Sequence, residues 1–144
     1  MNTEDTAWFP KYKQFKDNPK GVIKHLIKTK KGDCLKALYR KEIGYIDIVW
    51  GENDKNNKGF GLKHIIEKHG SEIKQLGFKI EDFIPIIIQY GDFKVSKNLN
   101  KIELSGEMFR IIISKTAYYG NKIEDKNFVL SAFDLRPIKF KKKK

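Results

Sequence analysis

Two of the chain's three histidines lie in one short segment, residues 59–70, with the sequence GFGLKHIIEKHG. Histidine suits proton transfer because its unperturbed pKa lies close to neutral pH. A spacing of five residues on a helix turns the two rings about 140° apart, so one metal ion is not easily held by both. The zinc pattern H-E-x-x-H is also missing. Ile65 follows His64 where the pattern has glutamate, and Lys68 stands four residues after His64 where the pattern has the second histidine. The pair argues against a metal site, and alone it only suggests acid–base chemistry.

Helical geometry assigns the two histidines to different sides. His69 continues an apolar stripe of the kind that faces a core, whereas His64 lies among charged residues on the polar side. Gly70 is typical of a helix C-cap, which would place His69 at the negative end of the helix, where an imidazolium is favoured. We therefore expect His69 to anchor the helix and His64 to stand on its open side.

The elements that must position these residues follow from hydrophobic periodicity. Residues 19–31 predict an amphipathic helix with His25 exposed, and residues 33–41 predict a second short helix capped by Asp33. Residues 45–51 predict a strand. Residues 79–91 predict a buried helix with Pro85 in its first turn, and four antiparallel strands follow from residue 92. The predicted fold is α+β, with N-terminal helices packed on one face of a four-stranded antiparallel β-sheet.

Composition limits the classes of protein. The 144 residues are enough for one domain, and we expect a soluble chain because no apolar run approaches the roughly 20 residues of a membrane span. Cys34, the single cysteine, is read as a packing residue. The net charge is +12. Residues 11–41 contain eleven basic and two acidic residues, and residues 136–144 contain six basic residues and no acidic residue. This distribution fits a partner such as RNA, DNA or anionic lipid, and the alternative is a lysine-rich surface that aids solubility.

Four segments, in this order, carry a resemblance: GYIDIVWG, GLKHIIEKHG, TAYY and FVLSAFD. Together they resemble the phage-associated branch of the barnase/EndoU/colicin/RelE-like nuclease superfamily, over residues 43–135. A basic N-terminal helical segment, residues 1–42, and a basic tail, residues 136–144, lie outside it. The resemblance implies helices followed by a four-stranded sheet with the active site on its exposed face. It also implies RNA cleavage without metal or cofactor, through attack of the 2′-hydroxyl to give a 2′,3′-cyclic phosphate.

The resemblance also implies roles for single residues, although the superfamily has no fixed catalytic set. His64 would be the general acid or base, with His69 as a second candidate and Glu67 to orient the imidazole. Strand alternation places Arg110 on one face with two further candidates. Arg110 would hold the phosphate, and a surface salt bridge is its alternative. The residues that would bind the phosphate or a base are Thr116, Tyr118 and, on the partner strand, Ser131. The expected RNA contacts are Lys24, Lys28, Lys30, Lys31 and Lys63.

The leading hypothesis is a metal-independent endoribonuclease toxin of the polymorphic-toxin type, with tRNA as a plausible substrate. Such a toxin would act in a cytoplasm after delivery from a phage or a secretion system. An acidic immunity protein or antitoxin would neutralise it. Two alternatives stay open: a non-catalytic nucleic-acid-binding module and a phage-head accessory protein.

Overall fold

The computed structural model describes residues 6–97, 100–119 and 121–136. Within these ranges the chain forms three helices and nine strands. The helices are α1 (Pro19–Thr29), α2 (Gly61–Gln75) and α3 (Ile80–Tyr90). The first five strands are β1 (Lys11–Tyr12), β2 (Asp33–Arg40), β3 (Gly44–Val49), β4 (Glu52–Asn53) and β5 (Gly59–Phe60). The last four are β6 (Asp92–Val95), β7 (Lys101–Ser105), β8 (Phe109–Tyr119) and β9 (Lys122–Asp134).

Seven of these strands form one mixed sheet in the order β1-β2-β3-β9-β8-β7-β6. The strands β6 to β9 are the predicted antiparallel meander, but β3 adds to β9 in parallel and extends the sheet through β2 and β1. Two of the three helices, α2 and α3, follow the first strands in the chain. The predicted four-stranded sheet with N-terminal helices is therefore wrong, although the fold is α+β.

The predicted second helix over residues 33–41 is the strand β2. Its buried residues are Asp33, Cys34, Ala37 and Leu38, a four-residue repeat that imitates a helix. A β-bulge causes this repeat: the pairing with β3 shifts between Cys34 and Leu38, and Lys36 takes a left-handed φ of 54°. The buried Cys34 is a packing residue in the core, as predicted.

Two residues expected near helix ends lie inside helices. Helix α2 continues past Gly70 and ends at Gln75, so His69 is in the middle of the helix and has no helix end beside it. Pro85 is the sixth residue of α3 rather than part of its first turn. The longest described helix has 15 residues, and none in the described part of the chain is long and apolar enough to cross a bilayer.

A glycine-dependent hairpin, β4 with β5, delivers the start of α2 to its place. Gly51 before the hairpin has φ +76°, and a Cβ there would lie 2.0 Å from the carbonyl oxygen of Phe60. Gly61 after the hairpin has φ +83°, and its Cβ would lie 2.9 Å from the Gly51 Cα. The two backbone segments therefore pass so close to each other that only glycine fits at positions 51 and 61. The amide of Lys63 then donates to the Trp50 carbonyl at 2.8 Å, which fixes the first turn of α2.

The sheet has a core on each face. The larger core packs α1, α2 and α3 against apolar side chains that include Ile46, Leu104 and Ile111. Because neighbouring residues of a strand point to opposite faces, the residues next to these core positions face the other way. There a smaller aromatic cluster collects around Trp8, Phe60 and Phe128.

Candidate active site

His64 lies in the first turn of α2 and is 5 % exposed. The expectation that it stands on the open side of the helix is therefore wrong. Its burial has a tertiary cause, since α2 packs against β9 on one side and against the β4–β5 hairpin on another. His64 is thus covered in the folded chain, whereas Glu67 and Lys68 on the same polar side of the helix are exposed.

A polar network determines which nitrogen of the neutral His64 ring carries the proton. Its Nδ1 lies 2.7 Å from Oδ1 of Asn53. The Asn53 amide nitrogen donates to Glu67 Oε1 at 2.9 Å and to Asn57 Oδ1 at 3.1 Å, so both of its hydrogens have acceptors. The Asn53 oxygen must therefore accept from Nδ1–H, and Nε2 is the ring nitrogen that carries the lone pair when the imidazole is neutral. Glu67 is thus linked to the ring through Asn53.

The loop between β4 and β5 holds Asn53 in place. Asp54 Oδ1 accepts from the backbone amides of Asn56 at 2.8 Å and Lys58 at 3.0 Å. This pattern is a side-chain-stabilised turn, and it accounts for the Asp and Asn residues of the loop. Asn57 takes a left-handed φ of 57°. The polar sequence that follows β3 is therefore the support of the His64 network.

The surroundings lower the pKa of His64 below the ordinary value of a histidine. Burial is the main cause, because it disfavours the charged imidazolium, and the nearby Lys68 and His69 add to it. Asp54 and Glu67 oppose the shift. A neutral imidazole with its proton on Nδ1 is a proton acceptor at Nε2, so the geometry and the pKa both suit a general base.

Two contacts set the register of α2 along β9. The Phe60 ring lies 6.2 Å from the Phe128 ring, and Lys68 Nζ lies 5.8 Å from the centre of the Phe133 ring. The helix therefore runs in the same direction as β9 between these two contacts. Ser131, the predicted candidate on β9, lies in the sequence between Phe128 and Phe133.

Arg110 is engaged by its own sheet. Its Nε donates to Ser105 Oγ at 3.0 Å, and Nη1 lies 3.4 Å from Glu103 Oε1. The side chain is 36 % exposed. The salt bridge that was the alternative reading is therefore present. In the sheet, Arg110 on β8 pairs with Phe133 on β9. The ring of Phe133 is also the one that Lys68 contacts.

Thr116 and Tyr118 lie farther along β8 and do not converge on the position of Arg110. Six residues of strand separate Arg110 from Thr116, a span of about 20 Å. Two clefts adjoin Tyr118, and Trp8 lines both. The first, called the inner cleft, has a volume of about 350 Å³ and is lined by Phe60, Thr116, Phe128 and Leu130. The second, called the outer cleft, has a volume of about 550 Å³ and is lined by Phe9, Lys11, Glu52, Lys122 and Glu124.

His69 has the surroundings of a packed residue. It is 6 % exposed, its ring meets Phe109 edge-on at 5.7 Å, and its Nδ1 lies 3.4 Å from Glu72 Oε1. Its Nε2 is buried without a hydrogen-bond partner. Arg136 closes this region, with bonds to both carboxylate oxygens of Asp134 and its guanidinium 5.6 Å from the Phe109 ring.

The predicted RNA-contact lysines are spread over the surface. Lys24 and Lys28 are exposed on α1, which packs on the face of the sheet with the larger core. Lys30 and Lys31 are exposed just after α1, and Lys63 is half-buried in α2. Of the described residues that line the clefts around Tyr118, none is one of these five. His25, predicted to be exposed, is half-buried between Tyr12 at 4.4 Å and Phe15 at 4.7 Å. The basic tail from residue 137 lies outside the described residues.

A buried ion cluster lies beneath the aromatic cluster. Lys126 Nζ lies 2.7 Å from Asp33 Oδ2 and also bonds Asp47. Burial would lower the pKa of Lys126, but the two carboxylates outweigh it and raise that pKa. An ammonium thus fills the space between the two carboxylates. Across residues 6–97, 100–119 and 121–136, no three His, Cys, Asp or Glu side chains form a group suited to a metal ion.

Sequence reasoning missed Asn53 and Trp8. Asn53 carries a weak signal, because an amide two residues after a glycine-ended strand can face the helix that follows. Trp8 carries no local signal, since its neighbours Phe60 at 4.9 Å and Phe128 at 5.3 Å are distant in the chain.

One small α+β domain thus carries a buried histidine whose pKa is lowered and a cleft lined by aromatic side chains. A family model described as phage-Barnase-EndoU-ColicinE5/D-RelE like nuclease1 matches residues 37–137, which are 101 of the 144 residues. The chain belongs to this nuclease family, and the resemblance seen in the sequence is confirmed. No curated protein and no solved structure gave a significant match.

Proposed function

We propose that this nuclease domain is a metal-independent endoribonuclease in which His64 is the general base. The observation that carries the proposal is the chain of contacts from Glu67 through Asn53 to His64 Nδ1, together with the lowered pKa of the ring. A base of this kind must be neutral at working pH and oriented by a second group. His64 meets both conditions.

In the proposed reaction, Nε2 of His64 takes the proton of a ribose 2′-hydroxyl. The 2′-oxygen attacks the adjacent phosphorus, the bond from phosphorus to the 5′-oxygen breaks, and the leaving oxygen takes a proton from solvent. The products are a 2′,3′-cyclic phosphate and a 5′-hydroxyl. The protein must also stabilise the negative charge that develops on the phosphorus oxygens.

Lysine and arginine near His64 supply the proposed charge stabilisation. Lys68 lies one helical turn from His64 and affects its pKa, which makes it a close cation for the reacting phosphate. Arg110 has partners for Nε and Nη1 among the described residues, and Nη2 is the nitrogen that a phosphate would take. Arg110 is thus proposed as a neighbouring phosphate contact, at some distance from Thr116 and Tyr118.

The biological setting extends this proposal. The net charge of +12 supports an RNA substrate such as tRNA, because basic residues gain affinity by releasing counterions from phosphates. An acidic immunity protein or antitoxin would complement the same charge. Delivery from a phage or a secretion system into a cytoplasm is part of the toxin proposal.

The test adds the purified chain to total RNA in the presence of EDTA and maps the ends of the fragments. We expect fragments with 2′,3′-cyclic phosphate ends from the parent chain and none from His64→Ala, with circular dichroism to show that the variant is folded. Binding with a steep salt dependence but no cleavage would favour the non-catalytic nucleic-acid-binding module. Neither binding nor cleavage would favour the phage-head accessory protein. Cleavage that stops with EDTA and returns with Mg²⁺ would overturn metal independence.

A further inference from the structure

Tyr118 is a large aromatic side chain that the fold leaves in solvent. It is 63 % exposed, although it lies on the longest antiparallel pair of the sheet. Its ring lines both the inner and the outer cleft and therefore lies at the boundary between them. An exposed aromatic ring that borders open clefts is a feature on which bases of a single strand can stack.

The wall behind Tyr118 is rigid. Trp8 is 8 % exposed and is held by Phe60, Tyr119 and Phe128, with ring centroids 4.9, 4.8 and 5.3 Å away. Trp8 lines both clefts, so a preformed apolar surface stands behind each of them. Trp8 also precedes residues 37–137, which match the nuclease family, so this part of the surface comes from outside the matched region.

The lining of each cleft favours a base over a phosphate. The inner cleft is lined by the rings of Trp8, Phe60, Tyr118 and Phe128 and by Leu130, and its other lining residues are Asn100, Lys101, Ser114 and Thr116. The outer cleft contains the carboxylates of Glu52 and Glu124, which repel a phosphate but accept hydrogen bonds from the amino groups of bases. Lys122 and Lys101, one in each cleft, can meet the backbone phosphates that flank the bases.

Phe60 joins the inner cleft to the helix that carries His64. Phe60, which lines the inner cleft, is the N-cap of α2 and stands four residues before His64, a rise of about 6 Å along the helix. A base in the inner cleft would therefore lie beside the residue that precedes the first turn of α2, the turn that contains His64. A base in the outer cleft would belong to the next nucleotide along the strand.

We propose that the two clefts are subsites for two successive unstacked bases of single-stranded RNA, separated by the ring of Tyr118. This inference rests on the proposed ribonuclease function, since it names how the substrate is held. Trp8 forms the fixed wall of both subsites. Base pairing must be absent from the bound segment, because each base has to leave its neighbour to occupy a separate cleft.

The experiment measures binding apart from cleavage. The probe is a fluorescent single-stranded 2′-O-methyl oligoribonucleotide, which has no 2′-hydroxyl to react, and its affinity is measured by anisotropy with the full chain. Tyr118→Ala should weaken binding about 5- to 150-fold, the range of one lost stacking contact. Tyr118→Phe should bind as the parent chain does. Tyr90→Ala is the matched control, because Tyr90 is 79 % exposed on α3 and lines neither cleft.

Removing single bases from the probe locates the subsites. Removing the base at either of two neighbouring positions of the probe should weaken its binding to the parent chain and to Tyr118→Phe. The same abasic probes should bind Tyr118→Ala as the complete probe does. Equal affinity of Tyr118→Ala and the parent chain, or equal competition by a fully paired 2′-O-methyl duplex, would overturn the proposal. Cleavage of RNA with no dependence of binding on Tyr118 would leave the nuclease and remove the subsites. Binding that depends on Tyr118 without any RNA cleavage would support the subsites and contradict the proposed ribonuclease function.

Discussion

The two histidines of α2 are buried to nearly the same extent, 5 % and 6 % exposed, yet their surroundings differ in kind. His64 bonds a side-chain amide that is itself held by a carboxylate and by a loop. His69 meets an aromatic ring and a carboxylate that also contacts Arg136. Burial alone therefore does not separate His64, the proposed base, from His69. The difference lies in the groups that each ring meets.

The comparison predicts very different behaviour on truncation. In His64→Ala the general base is lost, and we expect the rate of RNA cleavage to fall about 10²- to 10⁴-fold. Single-turnover cleavage of a defined RNA, corrected for the folded fraction measured by circular dichroism, gives the rate. A folded His64→Ala chain that cleaves at the parent rate would exclude His64 as the base.

Asn53 tests whether the orientation of the His64 ring matters. Asn53→Ala removes the acceptor for Nδ1–H and the link to Glu67, and the expected loss of rate is about tenfold, the value of one hydrogen bond. Asn57→Ala is the matched control, because it removes the other acceptor of the Asn53 amide and leaves the Asn53–His64 bond in place. Equal losses in both variants would indicate that the loop as a whole, rather than ring orientation, is responsible.

Asn53→Asp tests the proposed role of His64 through the pH dependence of the cleavage rate. Since burial lowers the pKa of His64, the acidic limb of the parent pH–rate profile should have its midpoint below the ordinary pKa of histidine. The substitution keeps an oxygen facing Nδ1 but introduces a negative charge, which favours the imidazolium and raises that pKa. The acidic limb should therefore move to higher pH. An unchanged midpoint would contradict the assignment of that limb to His64.

The sequence predicted the local parts of this molecule better than their arrangement. The meander β6 to β9 and the helix α3 were recognisable because their periodicity reflects one buried face. The strand β2 was not, because the bulge at Lys36 repeats burial every four residues and so imitates a helix. No local pattern could reveal that β3 adds to β9 in parallel, since that pairing joins Asp47 to Phe128 across most of the chain.

The candidate site shows the same division. The segment around His64 was recognised by its residue types, but its burial depends on β9 and on the β4–β5 hairpin, which the helical pattern does not contain. Strand alternation predicts Arg110 and Tyr118 on one face, but their eight-residue spacing already separates them along the strand by more than the span of one phosphate. The partners of His64 and the wall formed by Trp8 come from other parts of the chain and required the fold.

His69 tests the structural side of the comparison. In His69→Ala a buried ring is lost from the contact with Phe109, and we expect the free energy of unfolding to fall by about 2 to 4 kcal/mol. Urea denaturation measures the loss. Cleavage per folded molecule should stay close to that of the parent chain, because His69 Nε2 is buried away from solvent. If His64→Ala and His69→Ala were equally inactive while fully folded, the division between the two histidines would be wrong.

Arg136 is the smallest test, because its side chain is partly exposed beside Asp134 and Phe109. Arg136→Ala should slightly lower the free energy of unfolding at neutral pH. The hydrogen bonds from Arg136 are the main cause that lowers the pKa of Asp134, so this stabilisation is present above the ordinary pKa of an aspartate and is lost as pH falls. Urea midpoints measured from about pH 7 to about pH 3 should therefore fall less steeply in Arg136→Ala than in the parent chain. Parallel curves would mean that Arg136 acts on Phe109 alone, and any loss of cleavage by the folded variant would extend the active site into the His69 region.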